Sequence, residues 1–479
     1  MKSSFRALWL LFGTAILVML AVGCNDTLRQ FIVPIPSPTG NPQALEHAII
    51  LSTNPDASAS GSNMHIDVSG DSNVGVVPLG LNPVFLGKTT SNVFVINSGN
   101  PNATPSSPQI PPTVSIYTAL LPQSAIVSTV TLPTTGPDAV QTPVAGATSS
   151  VGNIYIANRD SDNVSVISGS VFSVIDTIQL PAGSHPVMIA GNSANNKIFV
   201  VDQGTSDVTE ISTIDNTIVK TIPVGLLPIW GVMSTDGLFA FIVYQGDGTV
   251  TVIDASLDIV LPCDPSTASC QADRSGLPHQ SIKVGASPNF AFYEPQLRRV
   301  YVSNTGENTV SVIKGNGFDL GSVPQVLPFK LADVALSGAP TSVTALSDGT
   351  KAYAALGGCP AGVNHTTLLS ILATPTNCNG NKISVIDAVS LQEAKTITVG
   401  IGPVSIDASA NALRVYSVNA HDSVTNATGT HAVGTISDIN TSTDTEVMRE
   451  LPPQQDPTCA VSATVFCPLQ SPFMVRTFP

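Results

Sequence analysis

Residues 155–158 read YIAN and residues 164–167 read VSVI. The couplet returns as YVSN at 301–304 with VSVI at 310–313, and as FVVD at 199–202 with VTEI at 208–211. In each, nine residues separate the leading aromatic from the first valine, and Phe241 keeps that interval to VTVI at 250–253. Val250-Thr251-Val252-Ile253 alternates apolar and polar, the period of a half-buried strand. Further strings close on TIPVG (221–225), SIKVG (281–285) and TITVG (396–400). A proline follows each glycine at one offset: Gly225 to Pro228, Gly285 to Pro288 and Gly400 to Pro403, with Gly80 to Pro83 and Gly183 to Pro186 matching.

Each unit therefore holds four short β-rich runs between turn residues and recurs at about 40–60 residues, the pattern of propeller blades. A lone blade cannot bury both faces, whereas blades stacked around an axis can. The quoted strings resemble the YVTN-type β-propeller repeat across nearly all of residues 45–479; that resemblance implies fold far more than function. Units start near Pro83, Pro143, Pro186, Pro228, Pro288, Pro340, Pro403 and Pro472. The last has room for one strand, Phe473 to Phe478. Three N-terminal runs, His47 to Leu51, His65 to Val68 and Val74 to Leu79, supply the rest of that blade. The expectation is an all-β, eight-bladed propeller of four-stranded antiparallel blades closed by a composite blade. Seven is the alternative count, with 83–132 the most irregular unit.

Composition agrees. Charged residues are 11% of 479, with 37 Gly and 37 Pro, which disfavours a helical architecture. A formal charge of −14 argues against binding a phosphate backbone, so no nucleic-acid partner is expected.

Lys2 and Arg6 precede an apolar run, Ala7 to Val22, that is short for a bilayer span. Leu20-Ala21-Val22-Gly23-Cys24 resembles a bacterial lipobox. That resemblance implies residues 1–23 as a signal peptide and Cys24 as a lipidated N-terminus. Asn25 at the next position favours an outer-membrane destination in a Gram-negative source. Residues 24–44, with four prolines, read as a semi-extended tether. The single folded domain is 45–479, expected to be a monomer.

Loops between second and third strands, and between blades, share one face of a propeller. Long connections fall there at 99–112, 357–381, 420–431 and 452–471, whereas 261–279 joins third to fourth strands and is expected opposite. Enlarged loops on one face of a rigid scaffold mark a recognition surface. Six cysteines remain beyond Cys24, and their local placement pairs Cys263 with Cys270, Cys359 with Cys378 and Cys459 with Cys467. An exported chain permits their oxidation.

Chemistry is harder to find. His365, His421, Asp422 and His431 are weak metal candidates in the loop-face insertions, and no cofactor is expected. His185 lies in a Gly-Ser-His-Pro turn and reads as locally bonded. Glu294, Arg298 and Arg299 share one hairpin, the only hint of a lactonase-like set. No Gly-x-Ser-x-Gly, H-E-x-x-H, Walker or haem-attachment motif occurs. Asp- and Asn-rich turns such as 158–163 read as hairpin turns. The preferred expectation is a lipid-anchored envelope propeller that binds a protein or glycan through its loop face without catalysis. The alternatives are a small-substrate enzyme such as a lactonase at the channel mouth, and a surface-layer or adhesion component.

Overall fold

The computed structural model describes residues 46–54, 59–100, 110–118, 126–272, 280–314, 327–359, 378–426, 429–455, 459 and 467–478. They form eight antiparallel blades around one axis. Blade 1 is composite: the C-terminal strand Ser471–Phe478 lies innermost and pairs with His47–Thr53, which is followed outward by Ser60–Asp67 and Ser72–Leu81. Blades 2 to 8 run in chain order over 83–131, 143–179, 186–223, 228–283, 288–335, 342–398 and 403–450. The irregular unit at 83–131 is a complete blade, so eight is the count.

The repeated strings now have physical roles. The aromatic near the start of the second strand in blades 2 to 8 is buried between blades: Phe94, Tyr155, Phe199, Phe241, Tyr301, Tyr353 and Tyr416 are at most 1% exposed. The asparagine closing that strand reaches sideways into the third. Asn158 Nδ2 donates to Ser165 Oγ at 2.9 Å, Asn304 Nδ2 to Ser311 Oγ at 2.9 Å and Asn419 Nδ2 to Ser437 Oγ at 2.8 Å. A buried amide and a buried hydroxyl satisfy each other there, which fixes the register of the two central strands.

Strand parity defines two faces. The loop face carries the second-to-third connections and the links between blades. The turn face carries the tight first-to-second and third-to-fourth turns. On the turn face a side chain opening one second strand reaches the outer turn of the next blade. Tyr155 Oη donates to Asn216 Oδ1 at 2.7 Å, Lys197 reaches Asp258, Arg299 reaches the Ala388 carbonyl, and Lys351 Nζ lies 2.8 Å from Asp444. The last clamp crosses the seam between the chain's two ends: Arg414 donates to both Asp71 oxygens at 2.8 and 2.6 Å.

One expectation is corrected. The insertion after Leu261 does not join the third strand to the fourth; it interrupts the fourth strand of blade 5. Ile259–Leu261 pairs with one half of Thr249–Asp254 and Gln280–Lys283 with the other. Leu261 and Ile282 are both buried against that strand, so the excursion leaves from mid-edge and adds Cys270–Ala272 outside Gln280–Lys283. The three disulfides pair as expected, 263–270, 359–378 and 459–467.

Candidate functional site

The inner strands leave a cavity of about 1130 Å³ on the axis. It is lined by the ends of those strands and by first-to-second turns such as Thr89–Ser91, so it opens on the turn face, away from the long loops. Its wall is mostly apolar. Met188, Trp230 and Phe290 come from blades 4 to 6, and Phe85 and Phe478 from blades 2 and 1. Trp230 packs on Phe290 with ring centroids 4.6 Å apart, and its indole N–H donates to the Ala291 carbonyl at 3.0 Å. That bond fixes the ring of an otherwise apolar anchor.

Charge is confined to one sector, supplied by three neighbouring inner strands. Asp407 comes from blade 8, Arg476 from blade 1 and Lys88 from blade 2. Asp407 is buried and accepts from the Thr477 amide at 2.9 Å, the Ala408 amide at 3.1 Å and Thr344 Oγ1 at 3.3 Å. Burial pushes its carboxyl pKa up, against the pull of Arg476 and these bonds. Burial draws the Lys88 ammonium down, with Asp407 opposing. The Lys88 ammonium sits 5.4 Å from the Phe478 ring centroid. Neither Lys88 nor Arg476 makes a hydrogen bond or an ion pair within 4 Å among the described residues. His47 edges the same sector, and burial lowers its pKa. Lys88 over the Phe478 ring and Arg476 in the same sector can receive an acidic group, and the aromatic wall can stack its flat body.

The residues singled out in the sequence lie elsewhere. Glu294 is buried and accepts from the Gln296 and Leu297 amides at 2.5 and 2.8 Å, which folds its own turn. Arg299 clamps blade 7, and Arg298 occupies a turn at φ 54°. These three lie on the turn-face rim of blade 6. His185 is a turn residue on the loop face: its amide donates to Asp162 Oδ1 at 2.8 Å and its Nδ1 lies 3.2 Å from the Arg159 carbonyl. Asp422 accepts from Thr435 Oγ1 at 2.7 Å and from the Ser423 amide at 2.9 Å, holding the base of a hairpin, Ser423–Asn426 with Gly429–Ala432, that carries His431. His421 is half-buried beside Gly402, and burial lowers its pKa. His365 lies outside the described residues, as does Cys24. Among the described residues no three His, Cys, Asp or Glu side chains gather to hold a metal ion.

Sequence reasoning missed Lys88, Trp230, Asp407 and Arg476. A signal existed. Four residues after the blade-opening proline stand Gly87, Ala147, Ala190, Val232 and Phe292; at the same offset blades 8 and 1 place Asp407 and Arg476. A charge in an otherwise small or apolar repeat column marks a departure from packing.

No family model matches this chain, and no curated protein matches it. Solved propellers do. Dihydro-heme d1 dehydrogenase NirN, in complex with DHE, is 12% identical over 92% of this chain and 77% of its own, with a TM-score of 0.58. The periplasmic gluconolactonase PpgL of Pseudomonas aeruginosa is 15% identical over 75% of this chain and 97% of its own, with a TM-score of 0.50. At such identities the likeness concerns the fold alone.

Proposed function

We propose that the protein is a lipid-tethered envelope propeller that binds a small amphipathic anion, with a flat apolar body and an acidic group, in its central cavity. The observation that carries this is the pair Lys88 and Arg476, facing an aromatic-walled cavity without anionic partners of their own beyond the already engaged Asp407. Two cations at a mostly apolar cavity favour a counter-charge, and a bound anion supplies one. The envelope location rests on the lipobox-like Leu20–Cys24, and the outer-membrane side on Asn25.

A second reading, hydrolysis of a small lactone, draws on Asp407. A carboxyl of raised pKa beside two cations suits general acid–base work at a developing oxyanion. The loop face remains a candidate for a protein or glycan partner, favoured by the disulfide Cys359–Cys378 and the hairpin of blade 8, which stiffen it.

The test is titration with 8-anilinonaphthalene-1-sulfonate, read by energy transfer from Trp230. Lys88→Ala and Arg476→Ala should each weaken binding about tenfold, the worth of one charge-assisted contact. The uncharged N-phenyl-1-naphthylamine should bind less tightly. Equal affinity for the uncharged dye, or an unaffected double variant, would overturn the anion site.

A further inference from the structure

The most exposed large aliphatic side chains of the described surface fall on one face. Val151, Val171, Ile214, Leu257, Val389 and Leu413 are 57–88% exposed, and no other described large apolar residue reaches that range. Val151 and Leu413 sit in first-to-second turns, and the other four in third-to-fourth turns. Strand parity puts all six on the turn face, around the cavity mouth.

These tips are held out by short, well-bonded turns. Asp254 Oδ1 accepts from the Ser256 and Leu257 amides at 2.9 and 3.0 Å, and Asp387 Oδ1 from the Val389 and Ser390 amides at 3.1 and 2.7 Å. Asn216 and Asp258 close two such turns with positive φ. Of the surrounding carboxylates, Asp71, Asp258 and Asp444 are each taken by a clamp cation, whereas Asp215, Asp236, Asp254, Asp348 and Asp387 are bonded within their own turns and keep their charge. Rigid aliphatic tips from five blades, interleaved with turn carboxylates, are a poor water surface and suit the boundary between lipid headgroups and acyl chains.

The position of the chain's entry says what covers it. Glu46 begins the described fold on this same face, where its carboxylate accepts from the Ala410 and Asn411 amides in a first-to-second turn of blade 8. The 45 residues that precede it contain the apolar run Ala7 to Val22 and Cys24. The tether therefore joins the fold on this face, and not on the loop face.

We infer that the turn face docks on a lipid surface, with the six tips seated at the headgroup–acyl boundary and the cavity mouth opening toward the bilayer. The orientation rests on the tether reading; the apolar ring does not. It deepens the cavity proposal, because an amphipathic ligand then enters from the membrane. Because the uncompensated charges of these turns are acidic, docking requires no anionic lipid.

The experiment places a tryptophan at Ile214→Trp, Val389→Trp or, as the loop-face comparison, Leu227→Trp, in the full chain reconstituted with vesicles of brominated phosphatidylcholine. The added emission at the two turn tips should fall roughly by half, as for rings lying about 5–10 Å into the boundary, and that at Leu227→Trp should not fall. Vesicle flotation is read alongside. A chain that floats with unquenched tips overturns the docking and leaves the tether standing. A Cys24→Ser chain that is still quenched at its tips supports docking and removes the lipidated cysteine. Unquenched tips in a chain that sediments as a dimer would assign the face to a second copy and overturn the proposal.

Discussion

Ending the chain after Gln470 removes the innermost strand of blade 1 and opens the ring at its seam. The strand Ser471–Phe478 buries Phe473, Met474, Val475 and Phe478, which are 2%, 0%, 0% and 6% exposed. Each is worth about 1.5–3 kcal/mol of burial, so the four together contribute roughly 6–12 kcal/mol. That matches the whole net stability of a typical domain, about 5–15 kcal/mol. Truncation also strips His47–Thr53 of its ladder partner and uncovers Ala48 and Ile50, now an exposed edge prone to pairing with other chains. The expected outcome is a chain that melts far below the intact protein, or aggregates. Circular-dichroism melting and size-exclusion chromatography read this, and a synthetic peptide spanning 468–479 added in trans should restore part of the lost transition. A graded version is Met474→Ala, expected to cost about 2–5 kcal/mol. A truncated protein that stays monomeric and melts unchanged would refute the closure argument, because those four side chains would then be buried without stabilising anything.

Arg414→Met should lower stability by about 2–3 kcal/mol, since it leaves Asp71 and the buried Asp438 without their cation while the partial exposure of the pair screens some of the loss. Adding Asp438→Asn should recover part of it; an unchanged urea midpoint in the single variant would show that the seam clamp is ornamental. Burial raises Asp202 and Asp438 to about 8 and Glu450 to about 7, against about 4 when unfolded. The native state then holds protons that the unfolded chain has released, so this contribution is complete at low pH and is lost as pH rises through 7–8. His65, held near 3 by burial, acts in the opposite sense below about 6.5, where its unfolded form gains a proton. The melting temperature should therefore fall between pH 6.5 and 8.5, and Asp202→Asn with Asp438→Asn should flatten the slope; a melting temperature that rises with pH would contradict the assignment.

The fold was legible because repetition averages away local ambiguity. One alternating run could be a strand or nothing, but the nine-residue interval from Tyr155, Phe199, Phe241 and Tyr301 states the same hairpin four times. The blade-opening proline then dated the start of six inner strands, the exceptions being Ser342, two residues after Pro340, and Ser471, one before Pro472. The break in blade 5 was not legible, because Leu261 and Ile282 look like ends of separate strands until both are seen under one partner. The cavity was missed for a different reason. Loop length and histidines draw the eye to the rim, while the axis is built from residues far apart in sequence, Lys88 and Arg476 being 388 positions apart. Only superposed repeats put Asp407 and Arg476 in one column, with Lys88 one place beyond it. The exposed tips were invisible in the same way, since Ile214 and Val389 read as strand residues until the turns are placed.

The seam has a consequence for the life history of the molecule. Lys88 belongs to the first complete blade to be synthesised, and Arg476 to the last few residues of the chain. The proposed anion site therefore does not exist until Arg476 has been made and the ring has shut. A ligand that bridges the two cations would act as a clasp across the place where the circle was cut, favouring the closed ring by the free energy of its own binding. Uptake of that ligand is thus a readout of completeness: chains shortened by premature termination or nicked near their C-terminus would be left both open and empty, and so marked for proteolytic removal.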